Sequence, residues 1–337
     1  MNHTKGILLA TALTLGATQA DAVELRLSHW VPASHPIQTL GIEPWVEAIN
    51  KASDGRIKIT IFPAQQLGSA PDHYDMTASG IADIGYVNPG YQAGRFPIVA
   101  LAEVPFHVNN AKAGAKAIHE WYLDYAEQEM PEVKFCVLNP HDPGTVHSKK
   151  QVKVPGDLKG LNVRPANATI GRFVHMIGGA SVQVSAPEAR EAIAKGAADA
   201  ITFPWNSIYI FGIDKETKYH LDMPFYLSTQ TLLINKARYD GLDAQDRKVI
   251  DDHCTPDWSE KFSAGWADNE AGGRQKMIDS GEHVIYKPSA DEVQAWRDAA
   301  APMVGEWMKA AGAKGIDTEK AYDAYVAKLK ASNSLFD

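Results

Sequence analysis

Gly80-Ile81-Ala82-Asp83-Ile84 and Gly196-Ala197-Ala198-Asp199-Ala200 are two copies of one short pattern. Each follows a helix-like stretch and opens a short apolar run that meets a proline. The runs are Tyr86-Val87-Asn88-Pro89 in the first copy and Thr202-Phe203-Pro204-Trp205 in the second. Glycine ends a helix by taking a left-handed conformation. Aspartate suits the turn before a strand. Proline has no N–H to give a ladder, so it stops the strand. Two such units predict two α/β lobes, each presenting a loop at a strand end. Open α/β sheets bind ligands at those ends, so two facing lobes make a cleft.

The flanking sequence extends both lobes. Residues 24–28 read as a strand and 37–53 as a helix, with Pro44 at a kink or a late start. Ile57, Ile59 and Ile61 alternate with polar residues, as in a half-buried strand, and 70–79 is the next helix. Strand, helix, strand is the unit of a parallel pair. Around the second copy, a strand entered at 160–163 ends at Arg164-Pro165, a helix covers 168–177, and 182–184 is a strand. Ser185-Ala186-Pro187-Glu188 then forms a capping box. A further strand covers 231–235. A long helical stretch, 243–280, is broken at Pro256 and Gly272-Gly273, and 291–329 is an alanine-rich helical tail. No flexible linker separates the lobes, so the chain is expected to cross between them in paired strands, as a stiff hinge.

Lys5, the apolar run 6–15 and Ala20-Asp21-Ala22 fit a secretory leader with an A-x-A cleavage site. That run is shorter than the about 20 residues a bilayer span needs. Residues 1–22 therefore read as a signal peptide, and the mature chain as soluble and exported. The formal net charge of −8 disfavours nucleic acid and acidic membrane surfaces. The two cysteines, Cys136 and Cys254, could pair in an oxidising compartment or remain two buried thiols. Neither zinc-ligand spacing nor a hydrolase, metalloprotease, phosphate-loop or dinucleotide motif occurs. The expectation is a binding protein, not an enzyme, with no metal and no cofactor.

Several further pieces, in order, carry a resemblance. They are Gly55-Arg56-Ile57, Phe62-Pro63-Ala64-Gln65-Gln66-Leu67-Gly68, Pro105-Phe106, Asp157-Leu158-Lys159-Gly160-Leu161-Asn162-Val163-Arg164, the unit 196–204, and Leu233-Ile234-Asn235-Lys236. Together they resemble the extracytoplasmic solute receptors of TRAP transporters, the DctP-like family, over nearly the whole mature chain. The resemblance implies a periplasmic-binding-protein-like α/β fold. Two lobes close on a ligand in the cleft between them, and a long helix spans both. It also implies a periplasmic receptor, expected to act as a monomer, that delivers its ligand to integral membrane permease subunits. The lobes are expected at 23–141 plus about 230–270, and at 142–229 plus about 271–337.

On the same resemblance, Arg164 stands where the family has a cleft arginine that grips a carboxylate. A guanidinium offers parallel N–H donors and keeps its charge at any relevant pH. Asn167 either contacts the ligand or caps the following helix. Phe203, where relatives often carry a polar residue, and Trp205 nearby make an aromatic wall. Trp30, Asn88 and Tyr91 fall where relatives place ligand contacts, and alternation puts Tyr86 on the side of Asn88. His29 reads as structural. Some relatives carry a second anion-binding arginine about twenty residues before Arg164; here that region is His141-Asp142-Pro143-Gly144-Thr145-Val146, which disfavours a dicarboxylate. One cation beside several rings favours a small aromatic monocarboxylate, such as a hydroxybenzoate or phenylacetate. A sugar acid or polyhydroxy acid is the alternative, because rings also stack on sugars.

Overall fold

The two repeated units are built alike. In a computed structural model, which describes residues 22–336, Gly80 and Gly196 take φ of 79° and 77°. They end the helices His73–Ala78 and Ala186–Ala194. The aspartate three residues later ties its strand to a neighbour twice. Asp83 N–H donates to the Arg26 carbonyl at 3.0 Å, and Arg26 N–H returns a bond to the Asp83 carboxylate at 2.8 Å. Asp199 N–H donates to the Asn162 carbonyl at 2.7 Å, and Asn162 N–H to the Asp199 carboxylate at 3.0 Å. The expected leader lies outside the described residues, save for Ala22.

Eleven strands among the described residues form two sheets, as a two-lobed α/β fold requires. The first holds β1 (Val23–Ser28), β2 (Ile57–Phe62), β3 (Ile84–Val87), β4 (Val133–Pro140) and, from far along the chain, β10 (Thr229–Asn235). The second holds β5 (Thr145–Ser148), β6 (Asn162–Arg164), β7 (Ala180–Ser181), β8 (Ala200–Phe203), β9 (Tyr219–Leu221) and β11 (Val284–Tyr286). The strand orders are β2-β1-β3-β10-β4 and β7-β6-β8-β5-β9-β11, so the sheets correspond strand for strand until β11. In each sheet three strands pair in parallel, and the next runs antiparallel: β10 against β3, β5 against β8.

Each antiparallel strand arrives from the other lobe. The chain leaves β4 for β5 through 141–144 and returns from β9 to β10 through 222–228. These crossings pair with each other. Gly144 N–H donates to the Tyr226 carbonyl at 2.8 Å, and Phe225 N–H to the Gly144 carbonyl at 3.0 Å. A Cβ on Gly144 would lie 2.8 Å from the Phe203 carbonyl oxygen, so the close approach needs glycine. The helix Pro256–Ala271 is the third crossing. It packs on β4 and on the helix Ala111–Tyr122 of the first lobe, and Glu270 near its end accepts from Ser207 N–H of the second. None of the helices among the described residues is long and apolar enough to cross a membrane.

Cys136 on β4 is bonded to Cys254, in the turn before that helix. One expectation needs correction. The strand expected at 182–184 lies at Ala180–Ser181, where Ala180 and Ser181 pair with β6. The tail reaches both lobes: Trp296 Nε1–H donates to the Lys153 carbonyl of the second at 2.9 Å. Met303–Gly312 packs on Val99–Glu103, and Thr318–Ala331 on Ala111–Tyr122. Trp121 Nε1–H donates to the Ala321 carbonyl at 2.9 Å, and its ring lies 5.0 Å from that of Tyr325. Those buried rings draw the last helix onto the first lobe.

Candidate ligand-binding site

Four strand ends converge. β1 leads into Trp30. β3 gives way to Asn88, whose Oδ1 accepts from Gly90 N–H at 2.9 Å and so turns the chain to present Tyr91. β6 ends on Arg164 and β8 on Phe203. Trp30, Asn88, Tyr91, Arg164 and Phe203 line one cavity between the lobes, with ≈ 30 Å³ of free interior space. That is far below the roughly 300–1,000 Å³ of open ligand clefts, so the lobes stand closed on one another here.

Arg164 is 1% exposed. Its Nε–H donates to the Val184 carbonyl at 3.0 Å and an Nη1–H to the Thr202 carbonyl at 3.4 Å, while Nη2 has no partner. The guanidinium lies 5.4 Å from the centre of the Phe203 ring. Among the described residues, no Asp, Glu or Lys shares the cavity wall. Burial pushes the Tyr91 phenol up, and the Arg164 charge beside it pulls the other way. Two histidines also line the wall, and both are neutral at physiological pH. Burial lowers His35 to about 3, with the His29 charge adding. Burial lowers His141 to about 4, with the Arg164 charge adding. Among the described residues, Arg164 is thus the one cation on this wall, without a counter-charge. A buried unpaired charge is costly, and an anion in the cavity removes that cost.

Three expected residues are not on the wall. Tyr86 stands behind Trp30, ring centres 6.4 Å apart, and its hydroxyl bonds to Asn139. The strand ends at Val87, so alternation no longer couples Tyr86 to Asn88. Asn167 is the helix cap: its Oδ1 accepts from Ile170 N–H at 2.8 Å, and its amide donates to Leu227 O and Ser228 Oγ. Trp205, past the proline, turns to His147 and His220, at 5.2 and 6.2 Å.

The wall includes residues that sequence reasoning missed, among them His35, Phe211, Gln230 and Trp266. Trp266 left a signal: Phe262, Trp266 and Glu270 share one face of the spanning helix at i, i+4 and i+8. Burial raises the Glu270 carboxyl, and its hydrogen bonds to Ser207 and Trp266 pull it back. Those bonds fix Ser207 and Trp266 in the wall. A larger groove of ≈ 400 Å³ lies at Phe96, Arg172, Glu306 and Trp307. It mixes both signs of charge, and none of the unpartnered buried polar atoms borders it.

The fold is shared with solved TRAP solute-binding proteins. One, from Rhodoferax ferrireducens T118 with copurified benzoate, is 28% identical, covers 93% of this chain and 99% of its own, and superposes with a TM-score of 0.87. A second, from a marine metagenome with 3-hydroxybenzoate, is 26% identical, covers 94% and 100%, and gives 0.86. A third, from Bordetella bronchiseptica with (R)- and (S)-mandelate, is 28% identical, covers 92% and 99%, and gives 0.86. Residues 27–310 match the DctP family profile, and the chain belongs to that family, the bacterial extracellular solute-binding proteins of family 7.

Proposed function

We propose that this protein captures a small aromatic monocarboxylate in the periplasm and hands it to TRAP permease subunits in the membrane. One observation carries the reading: an unpaired, buried guanidinium at Arg164 in an aromatic cavity that both lobes enclose. The aromatic acids held by three relatives support it. Residues 1–22 are the leader removed on export, and the mature protein acts as a monomer. It performs no chemistry on the ligand, which is released intact. Trp30, Asn88, Tyr91, Arg164 and Phe203 are the contacts.

Trp30, Asn88, Arg164 and Phe203 are all at most 4% exposed, so the ligand must enter through an opened form. Opening turns on the crossings 141–144 and 222–228, and the ligand favours closure by binding both lobes at once. The first lobe comprises 23–141 and about 230–270, with the tail helices from 303 packed on it; the rest of 142–302 makes the second. A sugar acid suits this cavity less well, since its several hydroxyls would meet a wall built mainly of rings.

The test is calorimetry of the mature protein against benzoate, phenylacetate, mandelate and gluconate. Micromolar or tighter binding of an aromatic acid, with gluconate silent, is the expected result. Tight gluconate binding with no aromatic binding overturns the reading.

A further inference from the structure

The unpaired polar atoms around the cavity say more about the ligand than its charge does. Four wall residues, each at most 4% exposed, carry a buried polar atom with no partner: Trp30 Nε1, His35 Nε2, Arg164 Nη2 and Gln230 Oε1. Buried polar atoms nearly always have partners. Four around one small cavity call for a ligand that meets them all.

Their chemistry is fixed. Indole and guanidinium nitrogens only donate. His35 Nδ1 accepts from Ile37 N–H at 3.1 Å, so the ring proton sits on Nε2, which donates. The neutral state of His35 makes it a donor without a charge. Gln230 makes no side-chain hydrogen bond among the described residues: its buried oxygen accepts, and its amide N–H groups remain to donate. These four atoms therefore offer three donors and one acceptor. A carboxylate presents two accepting oxygens and no donor. A hydroxyl presents one accepting oxygen and one proton. A carboxylate plus one hydroxyl matches all four atoms. Benzoate leaves Gln230 unmet, and a dicarboxylate adds a charge without a second cation.

The wall also spaces the groups. The Arg164 guanidinium lies 5.4 Å from the Phe203 ring, Phe203 lies 5.5 Å from Phe211, and Phe211 lies 6.0 Å from His35. Arg164 and His35 are thus linked through two phenylalanines of the wall. Trp30 neighbours Tyr91, whose ring lies 5.7 Å away, and Tyr91 lies beside Arg164. Building on the carboxylate reading above, we propose that the cavity selects a hydroxylated aromatic monocarboxylate. The carboxylate takes Arg164 and Trp30, and the ring hydroxyl accepts from His35 Nε2 and donates to Gln230 Oε1.

Calorimetry with benzoate and with 2-, 3- and 4-hydroxybenzoate tests this on the unaltered protein. One hydroxy isomer should bind at least tenfold more tightly than benzoate. Gln230→Met and His35→Phe should each weaken that isomer at least fivefold more than they weaken benzoate. Equal affinity for benzoate and all three isomers overturns the hydroxyl assignment and leaves the carboxylate reading standing. Failure of all four acids to bind overturns both. A hydroxyl preference that survives in both variants shows that other groups read the hydroxyl, and also overturns the assignment.

Discussion

Arg164 is held by main-chain carbonyls and not by an acid. The charge is therefore positioned by the fold yet left uncompensated within it. Removing it has two opposed effects on the ligand-free protein. Two carbonyls lose donors, at about 1 kcal/mol each, while an unpaired buried charge disappears, and apolar replacement of buried charge is often neutral or stabilising. Arg164→Met should thus move the ligand-free melting temperature by no more than roughly 3 °C. The same change should weaken an aromatic acid at least 100-fold, about 2.7 kcal/mol. Scanning calorimetry and titration of one sample check both halves; intact affinity would show that the anion sits elsewhere. Arg164 was legible through the resemblance, which implies a cleft arginine at the end of that short strand. His35 and Gln230 were not. Their role depends on which buried atoms lack partners, and that is a property of the packed wall. Asn167 shows the converse: a side chain that can cap or bind tells nothing until its cap bond to Ile170 is seen.

Elements were more readable than contacts. The glycine–aspartate unit fixed two strands and their loops, because a left-handed glycine and a turn aspartate each have a narrow conformational use. The breaks at Pro256 and Gly272 fell where expected, between Ala244–Asp252, Pro256–Ala271 and Gly273–Ser280. β7 is only Ala180–Ser181, too short for any periodicity to mark it. The partner of Thr318–Ala331 was equally hidden, since an amphipathic face fits either lobe. The bond between Cys136 and Cys254 joins two elements that no pattern connects, β4 and the turn before the spanning helix. It closes a loop with a sequence separation of 118. For a loop of about that length chain-entropy reasoning gives roughly 4–5 kcal/mol. Reduction, or the paired change Cys136→Ser with Cys254→Ser, should lower the melting temperature by roughly 10 °C. Aromatic-acid affinity should stay within about threefold once folded, because neither cysteine borders the cavity. A melting curve unchanged by reductant would show that the link contributes no stability.

Across the whole molecule, buried neutral histidines set the response to acid. His29, His119, His141 and His147 are each lowered by burial to about 4, His35 to about 3, and His220 further still. In the unfolded chain each takes up a proton near its ordinary 6.5. Between about pH 6.5 and 4 the unfolded state therefore binds more protons than the folded one, and stability falls as pH falls. Glu103 works against this. Burial raises its carboxyl to about 7, above its ordinary 4.5, so between those values the folded state holds the extra proton and acid stabilises it. Burial also raises the carboxyls of Glu129, Asp142 and Glu270. Six strongly lowered histidines outnumber these four carboxyls, so the histidines decide the sign. A loss of about 2 kcal/mol per histidine over those two pH units, less a similar gain at Glu103, with roughly 2 °C of melting temperature per kcal/mol in a chain of this size, gives a drop of roughly 20 °C from pH 6.5 to pH 4.5. Melting curves at half-unit steps in one buffer series check it. A flat or rising melting temperature over that window would mean that these rings are already charged in the fold. His35 would then be a second cation on the ligand wall, and the argument for a singly charged anion would fall with it.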